Sequence, residues 1–408
     1  MKTYTIGNEQ PRSRRWPYVL AVVFFLAGYL YLALGRPASA LQPKANSIQA
    51  RVPGGGLSWP AQGQSAVGIV GSPILETHGN QRPVPTASTA KLITALTVLA
   101  AKPLKPGQQG PTITLSPSDV ALYNNYMAQD GSLVKVQAGE RISEYQMLQA
   151  VLLPSANNIA DSLAIWAFGS LKDYSGAANQ YLRDQGLVES HVGSDASGLN
   201  PSTTSSPRDL VRIGELVMQD PVLSKIVNQP SASGIPVVSN IKNVNFLLGT
   251  SNIIGIKTGN SDQAGGVFVS ASRVTINNKP VTIVTALAGS PTLFQAMKDS
   301  LALIQSAQKN FEPVTVVEAG SIVGSYKQPW GGSVPAVATK ALSIDAWGGS
   351  TVAAKVNLRD IPANSKAGQT VGSVDIPQSA TSYKISVPVK LKTTPSAPSI
   401  GWRLTHPF

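Results

Sequence analysis

The chain has 408 residues, 42% hydrophobic and 13% charged, a composition that excludes a disordered chain and leaves room for two domains with a sizeable core. The formal net charge of +12 and sequence pI near 9.7 favour an anionic membrane or cell-wall surface as neighbour; the basic residues are scattered and no nucleic-acid motif occurs, so nucleic acid is not expected as a partner. Cysteine is absent, and His78, His191 and His406 show no metal-ligand spacing, so thiolate chemistry, disulfides, metals and cofactors are not expected.

Residues 1–17 are polar and basic, with Arg12, Arg14 and Arg15 just ahead of an apolar run over residues 18–35. That run is at the short end of what spans a bilayer, and the arginines predict a cytoplasmic N-terminus and an exported remainder. Ala38-Ser39-Ala40 resembles a signal-peptidase site, so a cleaved, secreted form stands beside a single-pass membrane anchor; the length of the run and the intervening Arg36-Pro37 favour the anchor. Residues 36–60, rich in Pro, Gly, Ala and Ser, read as a flexible linker.

The folded part is expected from residue 61, with a strand over 65–70, a turn at Gly79-Asn80 and then a buried helix that opens near Ser88. Leu92, Leu96 and Leu99 keep one face of that helix apolar, and Thr86 is the expected N-cap. Ser88 and Lys91, three residues apart, share a helix face roughly 5–6 Å apart at Cβ. A serine hydroxyl becomes a good nucleophile when a neighbouring base takes its proton, and a desolvated lysine can be that base. The same spacing recurs at Ser132–Lys135, Ser239–Lys242 and Ser306–Lys309, but only the first copy opens a strongly apolar helix.

Helices are predicted over 145–153, stopped by Pro154, and again through Ile159, Leu163 and Trp166. Ser155-Ala156-Asn157 sits at the break between them, where side chains can point into a cleft. Strands follow over 266–272 and 281–288, and a helix from residue 293 to about 309 ends a first domain of residues 61–310. Lys257-Thr258-Gly259 lies on the strand that precedes them. From 312 to 408 the pattern is period two: Val352, Ala354, Val356 and Leu358, then Tyr383, Ile385, Val387, Val389 and Leu391, alternate with polar residues and predict a small β-sandwich.

These motifs have a joint chemical reading. Ser155 can relay a proton between Lys91 and a leaving group, and Asn157 can hydrogen-bond a substrate amide. Lys257 supplies fixed positive charge, Thr258 a hydroxyl for a substrate carboxylate, and Gly259 room for a peptide lying along the strand as an added edge. The backbone N–H groups of Ser88 and Asn260 can form an oxyanion hole.

With Thr86-Ala87-Ser88-Thr89-Ala90-Lys91, Ser155-Ala156-Asn157, Lys257-Thr258-Gly259, Ala264-Gly265-Gly266 and the softer Asp195-Ala196-Ser197-Gly198-Leu199 on the page, the chain resembles the serine penicillin-recognising enzymes, specifically the low-molecular-mass D-alanyl-D-alanine carboxypeptidases, over residues 60–408. The resemblance implies an α+β fold: a penicillin-binding/β-lactamase-like domain of antiparallel sheet flanked by helices, with a helical lobe, followed by the β-sandwich. It implies catalytic roles for Ser88, Lys91, Ser155, Asn157 and Lys257, and substrate contacts from Thr258, Gly259 and Asn260. The partners it implies are peptidoglycan stem peptides as substrate and β-lactam antibiotics as covalent inhibitors. Members usually carry a carboxylate-binding arginine on the strand after the Lys-Thr-Gly strand; that position aligns with Thr282, with Arg273 or Lys279 as substitutes. A D,D-endopeptidase on the same machinery and a non-catalytic penicillin sensor are the alternatives. A β-lactamase is disfavoured because no Glu-x-x-Leu-Asn setting follows Ser155.

Overall fold

The computed structural model describes residues 15–377 and 385–406. The arginines at 12 and 14, the first strand residues Tyr383 and Lys384 of the second alternating run, and the last two residues therefore lie outside the described residues.

An apolar helix, Trp16–Gly35, stands almost fully exposed. Its 20 residues rise about 30 Å, the thickness of a hydrocarbon core, and it is apolar on all sides, so it is long and apolar enough to cross a membrane. Its last carbonyls are capped from the far end of the chain. Arg403, in the short helix Ile400–Thr405, donates to the carbonyls of Leu34 at 3.1 Å and Arg36 at 2.8 Å.

The expected flexible linker over 36–60 is corrected here. Pro43–Ala45 pairs antiparallel with Ile322–Lys327, and Ile48–Arg51 pairs with Thr351–Leu358, so both segments are edge strands of the C-terminal domain. The Pro and Gly content suggested a spacer, but Leu41 and Val52 are buried in that domain's core and Ile48 and Ala50 pack against it. Alternation over so few residues is easily hidden by composition.

The first domain is built on five antiparallel strands in the order Ile253–Ser261, Gly265–Ile276, Lys279–Ser290, Gln64–Ile69, Leu75–His78. Alternation along Gly265–Ile276 divides its two faces. Val267 and Val269 join the core under the helices Ala90–Ala101 and Pro207–Gln219, whereas Phe268 packs under Leu293–Gln308. The helical lobe includes Pro117–Met127, Glu144–Leu152, Asn157–Phe168 and Leu171–Asp184. Several of its helices start on a serine that accepts an N-terminal amide, as Ser143 does from Gln146. Ile253–Ser261 is an edge strand of this sheet.

The C-terminal domain is a seven-stranded antiparallel sheet with a two-stranded ribbon, Phe311–Val317 with Leu342–Trp347, whose Val314, Val316 and Ile344 share its core. Val352 and Ala354, and Val387, Val389 and Leu391, point into that core; Val356, Leu358 and Ile385 are half-buried at its margin. Trp347 joins the two domains. It is buried, stands edge-on to Phe311 at 5.3 Å between ring centres, and its indole N–H donates to Glu76 of the first domain. Asn277 and Asp345 add a reciprocal pair of hydrogen bonds at 2.8 and 3.1 Å.

Candidate active site

Ser88 sits in a single 3₁₀ turn, Ala87–Thr89, that runs directly into the helix Ala90–Ala101. Thr86 does not cap that helix with its side chain. Its hydroxyl donates instead to the Thr203 carbonyl at 3.2 Å, tying the turn to the lobe, and Thr89 Oγ1 donates to the Thr86 carbonyl at 2.7 Å. Ala87 holds φ +44° and Ser155 φ +67°, left-handed values that non-glycine residues adopt at a cost of order 1–3 kcal/mol. Ala87 precedes one motif serine and Ser155 is the other, positions where such backbone can be retained for function.

Lys91 is fully buried. Its Nζ donates to Ser88 Oγ at 2.7 Å, Asn157 Oδ1 at 2.7 Å and the Ser197 carbonyl at 2.9 Å. An ammonium would spend all three protons on these acceptors. The neutral amine keeps a lone pair, and Ser88 Oγ is the only partner of the three with a proton to give it. Burial, then the nearby charge of Lys257, holds the Lys91 pKa well below the usual lysine range, while Asp195 and Asp161 pull it back up.

Lys257 is likewise buried, which pushes its pKa down to about 7; its Nζ donates to the Thr258 carbonyl at 3.1 Å. Asn157 opens a helix one residue past the break, and because Lys91 takes its carboxamide oxygen, what it can offer a substrate is the Nδ2 donor. Ser155 is buried at that break with no protein hydrogen-bond partner for its hydroxyl.

Gly259 acts differently from the expectation. A Cβ there would lie 2.9 Å from the Thr86 carbonyl oxygen and 3.2 Å from the backbone nitrogens of Ser88 and Thr89. The missing side chain therefore lets the strand close on the Ser88 turn, rather than only clearing a path for a peptide. This brings the strand of Asn260, which is exposed, beside the Ser88 amide. Alternation turns Thr258 to the other face, level with its partner Phe268.

Thr282 is not brought to the site. It pairs with Arg273, whereas Ala286 and Leu287 are level with Val269 and Phe268, and so with Lys257 and Thr258. Four residues of extended strand put Thr282 roughly 13 Å along the sheet. Arg273 shares that position and Lys279 lies farther out, so neither substitutes for a carboxylate-binding arginine. The residues that end this strand do not by themselves fix which position lies level with Lys257; the register does.

Sequence reasoning assigned no role to the groups behind Lys91, and did not single out Asp161. Asp195 accepts from Ser197 Oγ at 2.7 Å and from the backbone amides of Gly198, Leu199 and Asn200, which shapes the loop that turns the Ser197 carbonyl to Lys91. Gly198, at φ +73°, passes so close that a Cβ would lie 2.1 Å from the Ala87 carbonyl oxygen. Asp161 accepts from Tyr126 OH at 2.6 Å and from the Ala196 amide at 2.9 Å. Its spacing of four from Asn157, one helical turn, was the available signal.

A family model described as D-alanyl-D-alanine carboxypeptidase matches residues 65–289. The chain is 26% identical to the D-alanyl-D-alanine carboxypeptidase DacA of Haemophilus influenzae over 311 residues, 74% of this chain and 77% of that one. It is 24% identical to DacA of Escherichia coli, spanning 61% of that enzyme's length. It is 30% identical to a D-alanyl-D-alanine endopeptidase of Pseudomonas aeruginosa over 49% of this chain and 63% of that one. The fold resembles penicillin binding protein 5 from Haemophilus influenzae, with TM-score 0.57 and 22% identity over 82% of this chain and 98% of that one. It also resembles the Streptomyces K15 DD-transpeptidase, with TM-score 0.54 and 22% identity over 61% and 98%.

Proposed function

The chain belongs to the D-alanyl-D-alanine carboxypeptidase family of serine peptidases, and we propose that it removes the terminal D-alanine from peptidoglycan stem pentapeptides through an acyl-enzyme on Ser88. The observation that carries this reading is the 2.7 Å hydrogen bond between a fully buried Lys91 amine and Ser88 Oγ.

The peptide adds to the free edge of Ile253–Ser261, with its scissile carbonyl at the Ser88 and Asn260 amides. Lys91 takes the Ser88 proton as Oγ bonds to the carbonyl carbon. The resulting oxyanion is held by the two amides and, where Lys257 is protonated, by its positive field. On collapse the C–N bond breaks, the nitrogen of the departing D-alanine takes the proton passed from Lys91 through Ser155, and Ser88 is left as an ester. Water then attacks the ester, giving a proton to Lys91 that is returned to Ser88 Oγ as the acid leaves. A β-lactam carbonyl would acylate Ser88 by the same first step. Trp16–Gly35 would hold the enzyme on the outer side of a membrane.

A second reading, a D,D-endopeptidase, is favoured by the P. aeruginosa relative and by the distance of Thr282, Arg273 and Lys279 from the site. A purely sensing role is disfavoured, since binding has no use for a buried lysine base. The reading is tested with Lys91→Ala. Penicillin acylation of Ser88, followed by intact mass, should fall by 10²-fold or more while the thermal midpoint stays within a few degrees. Acylation at the wild-type rate would sink Lys91 as base.

A further inference from the structure

The steps above leave the buried carboxylate of Asp161, close behind Lys91, without work. Asp161 is 2% exposed and lies one helical turn beyond Asn157, whose carboxamide oxygen accepts from Lys91. Its two oxygens are divided. One accepts from Tyr126 OH at 2.6 Å, and the other accepts from the Ala196 amide at 2.9 Å. Ala196 precedes Ser197, whose carbonyl accepts from Lys91, and Ser197 Oγ lies 3.3 Å from Tyr126 OH. The Ala196 carbonyl in turn accepts from Thr94 Oγ1 at 2.7 Å, one turn along the helix from Lys91. Asp161 thus grips the same short backbone that cradles the lysine.

Hydrogen bonding alone does not call for a carboxylate here, and among the described residues neither Asp161 nor Asp195 forms an ion pair. A buried charge without a partner is costly, so its retention points to a use for the charge itself. Lys91 is faced by Lys257 from the sheet, Asp195 from the loop and Asp161 from the helix; Asp161 is faced by Tyr126, Asp195 and Lys91, with Tyr174 behind Thr94. When Lys91 takes the Ser88 proton, an ammonium forms in a dry site that also holds Lys257, itself charged only below about pH 7. A fixed negative charge nearby is what such an intermediate needs.

We propose that Asp161 is a positioning residue for acyl transfer: through Ala196 and Tyr126 it holds the Ser197 carbonyl against Lys91, and its charge stabilises the ammonium formed when Lys91 accepts the Ser88 proton. The proton moves only from Ser88 Oγ to Lys91 Nζ, and Asp161 stays ionised. This rests on the acyl-enzyme reading given above. Burial raises the Asp161 carboxyl to about 6, so the charge is present at neutral pH.

The test is the rate constant for penicillin acylation of Ser88 in the full chain from pH 5 to 10, with thermal midpoints taken in parallel. In Asp161→Asn, Lys91 gives up its proton more readily, so the acidic limb moves to lower pH. The ammonium is also less stabilised, so the alkaline plateau drops on the order of tenfold or more. If Asp161→Asn fails to fold, Tyr126→Phe answers the same question. Asp161 then loses a donor, spends more time protonated, and the limb moves the same way by less. A limb that stays in place in the folded variant, whatever happens to its melting temperature, overturns the inference and leaves Asp161 a scaffold. A wild-type chain that takes no penicillin at any pH overturns the acyl-enzyme reading and this inference with it, a result distinct from an unmoved limb.

Discussion

Gly259→Ala separates the geometric requirement at this site from the chemical one. The new methyl carbon would stand 2.9 Å from the Thr86 carbonyl oxygen and 3.2 Å from the Ser88 and Thr89 nitrogens. All three are main-chain atoms, so none can swing away as a side chain would. Gly259 does not hold a positive φ, so alanine meets no backbone strain and the whole effect is steric. Relief requires the strand and the Ser88 turn to part by several tenths of an ångström. Overpacking of this kind costs about 2 kcal/mol, equivalent to a fall in thermal midpoint of roughly 4–8 °C for a domain of this size. The same displacement moves the proposed oxyanion donor at Asn260 and the proposed nucleophile Ser88 together. A misplacement approaching 1 Å is worth ~10²-fold, so acylation should fall between ten- and a hundredfold. The assay is the second-order rate of penicillin labelling by intact mass, with calorimetry on the same sample. Labelling within twofold of wild type at an unchanged midpoint would refute the claim that the close approach of strand and turn builds the site.

Two further outcomes follow from burial. Lys257 ionises near pH 7 when folded but near pH 10.4 when unfolded, so between those values the unfolded chain holds a proton the native chain lacks. Stability should therefore rise from pH 7 towards pH 9.5, by an upper bound on the order of 5 kcal/mol over the full window. Lys257→Met should flatten part of that rise in urea midpoints, Lys91 supplying the rest; a wild-type midpoint that falls over this range contradicts it. Trp347→Ala removes the buried ring between the domains and leaves Glu76 without its donor, so calorimetry should resolve two transitions with the lower one displaced downward. A single transition at the wild-type temperature would show that the domains are joined by other contacts.

The candidate site was legible because the chemistry proposed for it needs particular residue types at short spacing. Ser88 and Lys91 share a helix face, and Asn157 follows a proline-marked break, so local pattern brought them within reach of one another. What the sequence hid depends on long-range pairing. Thr282 takes the position of the family's carboxylate-binding arginine by sequence, but the strand register places Ala286, not Thr282, level with Lys257. Residues 43–51 looked like a tether because their partners, Ile322–Lys327 and Thr351–Leu358, are some 300 residues away. The Asp161–Tyr126 bond joins two lobe helices, which no local periodicity can anticipate. Gly259 was singled out for its missing side chain, but only the fold shows that the vacant space is filled by the Ser88 turn.

The central claim is tested most directly by release of D-alanine from a stem pentapeptide by the full chain, with Ser88→Ala as control. Release by the wild type at a rate at least 10³-fold above the control is the predicted result. Release that persists in Ser88→Ala, or no release while penicillin still labels Ser88, would contradict a carboxypeptidase working through a Ser88 acyl-enzyme.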